Sequence, residues 1–442
     1  MQLLRTGDGN FGALLQTMAT RASIFSVNII CGIITARGLG AHGRGVLAAL
    51  ITWPQLIAYL LTFGIFNSFI FNVKGDPENK SQLFGAMIVL SLIAGLAATG
   101  TGIALMPHFL AAYSADEVRH AQILMAVAPA ILLALGMQVA AEAAADFRGA
   151  NMAKGLSVVA TLSGLILSLV IGLSPDAAAL CYLLPQVPLT LWLFLRLRHH
   201  YRPALSRFVE AASQLTAYGL RCYPHELINA ASAYVGQAMV VTLLPPVAVG
   251  WFTVSLSVAR LLEVFYSTVA SVLLPATAAR SPAEVVAKTA RAARLTLLFM
   301  AIFALPLIIA LPWLLPLVYG ARFQEAVPVA RLLVLEGMLS GAVWVLMQGF
   351  LALGRPVLAA SLQLSAVAAS VALMFRLAPL YGALGAATVL VAIALARLVL
   401  AIGLYRFALS APLRQLNFCR ADFTYLWALL GRRDSLTGGA PG

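Results

Sequence analysis

Several ionisable side chains lie inside long apolar stretches of this 442-residue sequence, and these residues are the best equipped to do chemistry. The ones we single out are Arg21, Arg260, Glu263, Glu336 and Arg397. An ionisable side chain at the centre of a membrane costs about 2.5–3.5 kcal/mol on insertion scales, so it normally faces a protein interior or a watery cavity. Arginine binds phosphates bidentately, whereas carboxylates suit protons and organic cations. The sequence therefore offers both kinds of group within its apolar segments.

Membrane-spanning helices must position these side chains, and the composition supplies them. Hydrophobic residues make up 61% of the chain, charged residues 10%, and the mean hydropathy is +0.92. A spanning helix needs roughly 20 apolar residues, and the apolar runs here are continuous, unlike the alternation of barrel strands. We predict spans at about 14–36, 46–72, 82–106, 120–141, 154–173, 176–195, 222–244, 247–275, 294–319, 328–352, 356–376 and 382–405. The predicted fold is an all-α polytopic membrane protein of about twelve transmembrane helices.

The basic residues are distributed unevenly between the predicted loops. The net charge is +13, and 21 of the 29 Lys and Arg residues fall on the side of the predicted segments that holds the N-terminus. This asymmetry is the positive-inside rule, so both termini are predicted to be cytoplasmic in a bacterial inner membrane. The charge is thus explained by topology, and no nucleic-acid partner is predicted. The start of the chain shows no cleavable signal peptide, and the scattered cysteines predict neither a disulfide nor a metal site.

An internal repeat divides the sequence into two halves. Four pairs of residues are separated by 205 positions. The pairs are Gly45 with Gly250, Pro77 with Pro282, Pro107 with Pro312, and Gly149 with Gly354. Each half holds an even number of predicted helices, so the halves enter the membrane in the same sense, as parallel repeats suited to alternating access. We predict lobes at 1–205 and 206–410, the first ending in a basic linker, and a cytoplasmic tail at 411–442.

The pair Arg260 and Glu263 lies three residues apart and therefore on one helical face. One interpretation is a self-neutralising pair that eases membrane insertion. In the other, Arg260 points into a cavity as an anion ligand, and Glu263 orients it or exchanges a proton. The repeat places Gln55 at the position equivalent to Arg260, so this layer is polar in both halves and favours a cavity.

The remaining charged candidates lie nearer to helix ends or lack an assigned partner. The repeat sets Glu226 opposite Arg21, which predicts either an approach across the pseudo-twofold axis or two separate interfacial side chains. Glu336 is a candidate proton-coupling carboxylate or a partner of Arg331. Arg397 is interpreted as an ordinary residue reaching the membrane surface. The last two candidates for coupling or gating, near the end of the fourth predicted helix, are Glu142 and Asp146.

The segment Ala36–Gly45 carries the pattern R-x-L-G-x-x-G-R-G between the first two predicted helices. It resembles a turn of the Wzx-type polysaccharide flippases in the multidrug/oligosaccharidyl-lipid/polysaccharide exporter superfamily. Two further stretches are similar to the same family: Val249–Pro275, which holds Arg260 and Glu263, and Gln348–Pro356. The resemblance spans nearly the whole chain, although its motifs are short.

The resemblance implies a V-shaped transporter of two lobes that moves a polyprenyl-pyrophosphate-linked oligosaccharide from the cytoplasmic to the periplasmic leaflet. By position, Arg21, Arg44 and Arg260 would line a cationic cavity, with Arg37 near its outer end. The implied partners are the lipid-linked substrate, membrane lipids and a polysaccharide polymerase or export machinery. No cofactor is expected, and coupling to H⁺, Na⁺ or the membrane potential stays open.

Other functions compete with this interpretation. A cation-coupled drug or metabolite antiporter of the same superfamily would share the helices and the repeat, and the carboxylates Glu142 and Asp146 are compatible with it. A major-facilitator carrier also has six plus six helices, but its expected charged loop motif is missing from Val73–Lys80. A glycosyltransferase or polymerase would need a large extramembrane catalytic segment. The chain is therefore predicted not to be an enzyme, and the tail is predicted to be an interfacial helix or disordered.

Overall fold

A computed structural model describes residues 9–263, 265–267, 269 and 281–409, with side chains from residue 23 onward. The described chain is helical and contains no β-strand. We number its α-helices as α1 Gly9–Leu60, α2 Ile65–Gly75, α3 Lys80–Phe109, α4 Ala115–Leu124, α5 Ala128–Ala143, α6 Phe147–Ile171, α7 Pro175–Leu183, α8 Gln186–Tyr201, α9 Phe208–Leu243, α10 Pro246–Ala259, α11 Pro282–Tyr319, α12 Val327–Ala352 and α13 Pro356–Phe407. The side chain of Arg21 and the predicted tail at 411–442 lie outside the described residues.

Local sequence signals begin several of these helices. Ser114 caps α4 by accepting a hydrogen bond from the Glu117 backbone N–H, and the Glu117 carboxylate accepts one from the Ser114 N–H at 2.8 Å. This reciprocal arrangement is a capping box. Ser281 caps α11 directly before a proline, and proline suits the first helical turn, where its missing N–H leaves no bond unmade.

Two helices contain a glycine at which the helical path breaks. Gly40 in α1 has φ 66° and Gly382 in α13 has φ 62°, a left-handed region that glycine enters without steric cost. In α13, a Cβ built at Gly385 would lie 2.3 Å from the Leu377 carbonyl oxygen, so the chain folds back on itself at Gly382. Each of these helices therefore consists of two arms, one before and one after its glycine.

The prediction of about twelve transmembrane helices is confirmed for the described residues. Nine helical stretches are long and apolar enough to cross a membrane. Two of them, Ser23–Leu60 and Pro356–Phe407, hold two arms each. The twelfth helix is α9, which is 36 residues long and carries polar residues along its length, so it is not one of these nine stretches.

Large apolar side chains cover much of the outer surface. Val170, Phe407 and Trp313 are 83%, 85% and 72% exposed. The interior instead holds many Ala, Gly and Ser residues, which let helices approach closely. A soluble protein rarely exposes this much contiguous apolar surface, whereas a helical membrane protein presents it to lipid.

The chain forms two compact units, Met1–Thr253 and Val254–Gly442. The first unit extends past residue 205 because α9 packs against α1, α2 and α3. The division into repeat-related lobes at 1–205 and 206–410 stays a prediction.

Helix geometry at the matched positions agrees with the repeat at three of the four pairs. Pro77 and Pro282 each follow a capping residue, Asp76 and Ser281, which are themselves 205 residues apart. Pro107 and Pro312 both lie inside long helices. Gly149 and Gly354 differ: Gly149 lies within the first turn of α6, whereas Gly354 has φ 67° in the turn before α13.

The remaining pair, Gly45 and Gly250, lies at a reciprocal contact inside the first unit. A Cβ built at Gly45 would lie 1.8 Å from the Pro246 carbonyl oxygen, and one at Gly250 would lie 1.9 Å from the Ala41 carbonyl oxygen. Ala41 and Pro246 are also separated by 205 positions. The second arm of α1 and the start of α10 therefore cross with their backbones in contact, and each glycine provides the room for the other helix.

Candidate functional site

Arg260 and Glu263 lie where the eighth predicted helix changes its winding. A 3₁₀ turn, Arg260–Leu262, follows α10 within the candidate span Pro246–Ser267. Both side chains are exposed, and among the described residues they form no ion pair with each other. The described residues therefore show no self-neutralising contact within this pair, and the role of Arg260 as an anion ligand stays a prediction.

The other residue of the predicted polar layer, Gln55, is half-buried in the second arm of α1 directly after the buried Pro54. Gln55 lies in the first compact unit and Arg260 in the second. A joint cavity lined by both stays a prediction.

Arg44 points into the interior of the first unit. Its Nη1 donates a hydrogen bond to the Thr35 hydroxyl at 3.1 Å, across the break at Gly40. The Arg44 Nε is buried and has no hydrogen-bond partner in the described chain. Arg44 thus ties together the two arms of α1, and its role in substrate binding stays a prediction. Arg37, in the first arm of α1, has an exposed side chain.

Glu142 and Asp146 hold the turn between α5 and α6. Glu142 Oε1 pairs with Lys154 Nζ at 3.1 Å. Asp146 caps α6 through the Gly149 N–H at 3.0 Å and also accepts a hydrogen bond from Arg196 Nη2 at 3.0 Å. This bond from Arg196 lowers the pKa of the Asp146 carboxyl below its usual value. Both carboxylates are therefore occupied by structural contacts, and their predicted role in coupling gains no support.

Glu226 of α9 contacts the non-helical segment between α1 and α2. Residues 61–64 are not helical there, and both Phe63 and Gly64 have positive φ. The Glu226 carboxylate accepts hydrogen bonds from the Thr62 hydroxyl at 3.2 Å and from the Asn67 side-chain amide. A negative charge near the first turn of α2 is favourable because the amino-terminal end of a helix carries a partial positive charge. These partners belong to the α1–α2 region, and the predicted approach of Glu226 to Arg21 stays a prediction.

Further contacts extend this interface between α9 and the α1–α2 region, which we call the seam. The Gln237 amide donates to the Thr52 hydroxyl at 2.8 Å, and the Gln214 amide donates to Asn72 at 3.0 Å. The ring of Tyr218 stacks on that of Phe71 with centroids 4.1 Å apart. The sequence pattern could not reveal this seam because its members are more than 140 positions apart.

We expect Glu226→Ala to loosen the seam. A hydrogen bond to a charged group contributes about 1.5–3 kcal/mol, so the population with α9 separated should rise roughly tenfold or more. The measurement is the maleimide labelling rate of a Leu215→Cys probe in a background without native cysteines. Leu215 is fully buried on α9, and the control is Glu210→Ala, an exposed carboxylate on the same helix. Equal labelling rates for the two variants would contradict the role of Glu226.

Glu336 and Arg397 lie within the second unit. Glu336 in α12 accepts a hydrogen bond from the Ser340 hydroxyl at 2.5 Å. Arg331 donates instead to the Ile308 carbonyl at 3.2 Å, so the suggested Arg331–Glu336 pair does not form. Arg397 in α13 is partly buried and donates to Gln363 at 3.1 Å, which makes its interpretation as a surface-reaching residue wrong. No group of three His, Cys, Asp or Glu side chains suited to a metal occurs in the described part of the chain.

Solved structures with the same fold are membrane transporters. The chain is similar to the lipid II flippase MurJ in an inward closed conformation, with a TM-score of 0.77, 12% identity, and coverage of 97% of this chain and 94% of that one. It also resembles an inward-facing multidrug resistance MATE family transporter, with a TM-score of 0.71, 17% identity and coverage of 89% and 98%. A transporter of the MOP superfamily from Pyrococcus furiosus gives a TM-score of 0.59, 15% identity and coverage of 90% and 94%. None of the curated protein sequences compared with the chain matches it.

These helices and likenesses define the chain as a multi-pass membrane protein with the fold of the MOP superfamily. Residues 19–328 match the family model described as polysaccharide biosynthesis protein. Since the match covers most of the sequence, the chain belongs to this family.

Proposed function

We propose that the protein is an alternating-access flippase. Its substrate would be a polyprenyl-pyrophosphate-linked oligosaccharide, moved from the cytoplasmic to the periplasmic leaflet for surface polysaccharide synthesis. The family match, whose description concerns polysaccharide biosynthesis, and the fold shared with a lipid II flippase support this proposal. The charge asymmetry of the loops supports an inner-membrane location with both termini in the cytoplasm.

The proposal of an anionic substrate depends mainly on Arg260. Its guanidinium is exposed within a candidate membrane span and has no described ion-pair partner, although an unpaired charge at this depth is unfavourable. A pyrophosphate would supply the missing negative charge, since guanidinium binds phosphate oxygens bidentately and stays charged when partly desolvated. The polyprenyl tail would remain in the lipid while the head group crosses.

The antiporter alternative loses its best candidates. An organic cation needs an available embedded carboxylate, but in the first unit Glu142, Asp146 and Glu226 all accept hydrogen bonds from neighbouring side chains. These contacts favour an anionic cargo over a cationic one. A polysaccharide polymerase or export machinery would be the natural partner, because it would consume the translocated lipid.

The decisive test is transport in proteoliposomes. A fluorescent polyprenyl-diphosphate oligosaccharide is placed in both leaflets, and a membrane-impermeant quencher reports the outer fraction over time. With protein present we expect the inner pool to become accessible, whereas protein-free vesicles keep it protected. Unchanged protection in the presence of folded protein, together with uptake of a small organic cation, would overturn the proposal.

A further inference from the structure

An apolar cavity of about 530 Å³ lies between α6, α7 and α8 of the first unit. Its lining comes from Ala160 and Gly164 of α6 and from the segment 180–188, which ends α7 and begins α8. Ligand pockets in proteins typically measure roughly 300–1,000 Å³. The cavity therefore has the size of a ligand site, and because no charged side chain lines it, the part of a ligand that it can hold is a hydrocarbon.

A break between two helices and small residues on a third produce this cavity. α7 ends at Leu183 and α8 begins at Gln186, and the nearby Pro185 and Pro188 lack the N–H groups that a continuous helix would need. A Cβ built at Gly164 would lie 3.0 Å from the Cys181 Sγ, so α6 and α7 pack closely at one end of the cavity. The repeat gives Leu390 and Ile393 at the positions of the two prolines, and both lie inside the continuous helix α13. The break thus belongs to the first half alone.

The cavity lies at the outer surface of its helices. Its lining residues Ala160, Leu184 and Val187 are exposed, and so is the neighbouring Val159. These residues lie within the candidate spans Phe147–Ile171 and Pro175–Tyr201, so lipid chains are their expected surroundings. An apolar cavity of this kind excludes water and accepts a lipid chain.

Arg196 lies in line with the cavity at one end of the helices. A Cβ built at Gly149 would lie 3.0 Å from the Arg196 Nε. Gly149 and Ala160 are 11 residues apart, about three helical turns, so both lie on the same face of α6. Arg196 donates to Asp146 through Nε and Nη2, whereas its Nη1 makes no hydrogen bond within the described chain. This nitrogen is a donor that a phosphate above the cavity could use.

The same end of the helices carries the marks of a membrane surface. The Arg196 guanidinium lies 5.9 Å from the centre of the Trp192 ring, and tryptophan is enriched at the level of lipid headgroups. Arg148, in the first turn of α6, is exposed and forms no ion pair among the described residues. Four basic residues and two acidic ones gather here, an excess of two positive charges that favours anionic headgroups: Arg148, Lys154, Arg196 and Arg198, with Glu142 and Asp146.

The depth of the cavity matches one lipid leaflet. With a rise of about 1.5 Å per residue, Pro188 lies about 12 Å along α8 from Arg196, and Gly164 lies about 24 Å along α6 from Arg148. Half of a bilayer, including its headgroup region, is about 20–22 Å thick. A lipid whose phosphate lies at the arginines therefore has the distal part of its acyl chains at the level of the cavity.

We infer that α6, α7 and α8 form a binding site for one anionic phospholipid. The lipid belongs to the leaflet at the Arg196 end of these helices, which is the predicted cytoplasmic leaflet. Its phosphate binds Arg196 and Arg148, and one of its acyl chains occupies the cavity. This lipid is a resident ligand and not the transported substrate, so the inference is independent of the proposed flippase function.

Binding is measured by native mass spectrometry of the full-length protein titrated with phosphatidylglycerol or phosphatidylethanolamine. We expect one tightly bound phosphatidylglycerol and weaker binding of the zwitterionic lipid. Arg148→Gln should lower the affinity for phosphatidylglycerol about fivefold, the contribution of one basic residue near a membrane surface. Ala160→Trp places a ring in the cavity and should lower it about tenfold or more, since excluding two methylene groups already has that effect.

Two variants of the same unit serve as matched controls. Arg119→Gln removes an exposed arginine of α4, and Val170→Trp adds the same ring at an exposed position near the end of α6. Both should bind phosphatidylglycerol as the wild type does. Equal affinity of the wild type for the two lipids would overturn the inference, and so would an Ala160→Trp protein that binds phosphatidylglycerol as tightly as Val170→Trp.

The position of the chain is tested on the wild type, so that no variant needs to fold. Phosphatidylglycerol with a diazirine in the distal half of one acyl chain is photolysed in vesicles with the protein, and the labelled peptides are identified. We expect labels within 159–164 and 180–188, suppressed by excess phosphatidylglycerol but not by phosphatidylethanolamine. Labels spread evenly over other exposed apolar surfaces, such as that around Trp313 of α11, would overturn the site. Stronger suppression by a polyprenyl diphosphate would assign the cavity to the transported lipid and overturn the inference as well.

Discussion

Adding a single methyl group at the helix crossing, by Gly45→Ala or Gly250→Ala, is expected to destabilise the protein strongly. The new Cβ atoms would lie 1.8 and 1.9 Å from backbone carbonyl oxygens. A backbone cannot rotate aside as a side chain can, so the two helices must separate. Overpacking typically costs about 1–3 kcal/mol and occasionally more, and we expect these variants at or beyond the upper end. The measurement is the apparent Tm in detergent together with the yield of monodisperse protein.

Matched controls separate this effect from helix propensity. Gly32 and Gly100 also lie in helices, but a Cβ there would meet nothing within 4 Å. Alanine at these positions should be neutral or stabilising by up to about 1 kcal/mol, because glycine is the poorer helix former. The two crossing variants should also be non-additive, since either one already separates the same helices. A Gly45→Ala protein as stable as Gly100→Ala would show that the close crossing does not exist.

Replacing Arg260 should have the largest effect on transport. A charge-assisted hydrogen bond contributes about 1.5–3 kcal/mol, so Arg260→Ala is expected to slow flipping by about 10- to 100-fold at low substrate concentration. Arg260→Lys should be intermediate, because lysine keeps the charge but loses the bidentate geometry. The measurement is the initial rate of quencher accessibility in proteoliposomes.

A control for lost positive charge is Arg322→Ala, since Arg322 is exposed in the turn Ala321–Ala326 between α11 and α12. Its flipping rate should match the wild type. The melting temperatures of all three arginine variants should also remain close to that of the wild type, because Arg260 makes no ion pair in the described structure. If Arg260→Ala transports as fast as Arg322→Ala, the guanidinium does not bind the pyrophosphate.

The sequence predicts the helical framework well because hydropathy and charge act along the chain. The apolar runs locate the membrane-spanning helices of the described chain. The spacing of Gly45 and Gly250 predicts equivalent positions, and each of these glycines lies against the backbone of the other's helix. Arg260 could also be selected from sequence, since a charge within a long apolar run is unfavourable wherever that run packs. In these cases the feature that determines the structure is visible in neighbouring residues or in a regular spacing along the sequence.

Other parts of the candidate site depend on tertiary contacts that no spacing reveals. Arg397 reads as a helix-end residue until Gln363, 34 positions earlier, is seen to bind it. Glu226 accepts hydrogen bonds across 164 and 159 positions. The non-helical residues 61–64, with positive φ at Phe63 and Gly64, fall in the middle of an apolar run. The local sequence indicates this break only through Gly64, a glycine far from either end of the predicted helix. Hydropathy alone is insensitive to such breaks.

The reciprocal crossing at Gly45 and Gly250 also has a consequence for the origin of the chain. A contact in which residue i of one copy meets residue j of the other, and j meets i, is isologous, the kind of interface that homodimers build. A half-length ancestor carrying one patch of small residues, Ala41 to Gly45, would have formed a homodimer through that patch. Fusion of two such genes would then preserve a dimer interface inside a single polypeptide, with Pro246 and Gly250 as its second copy.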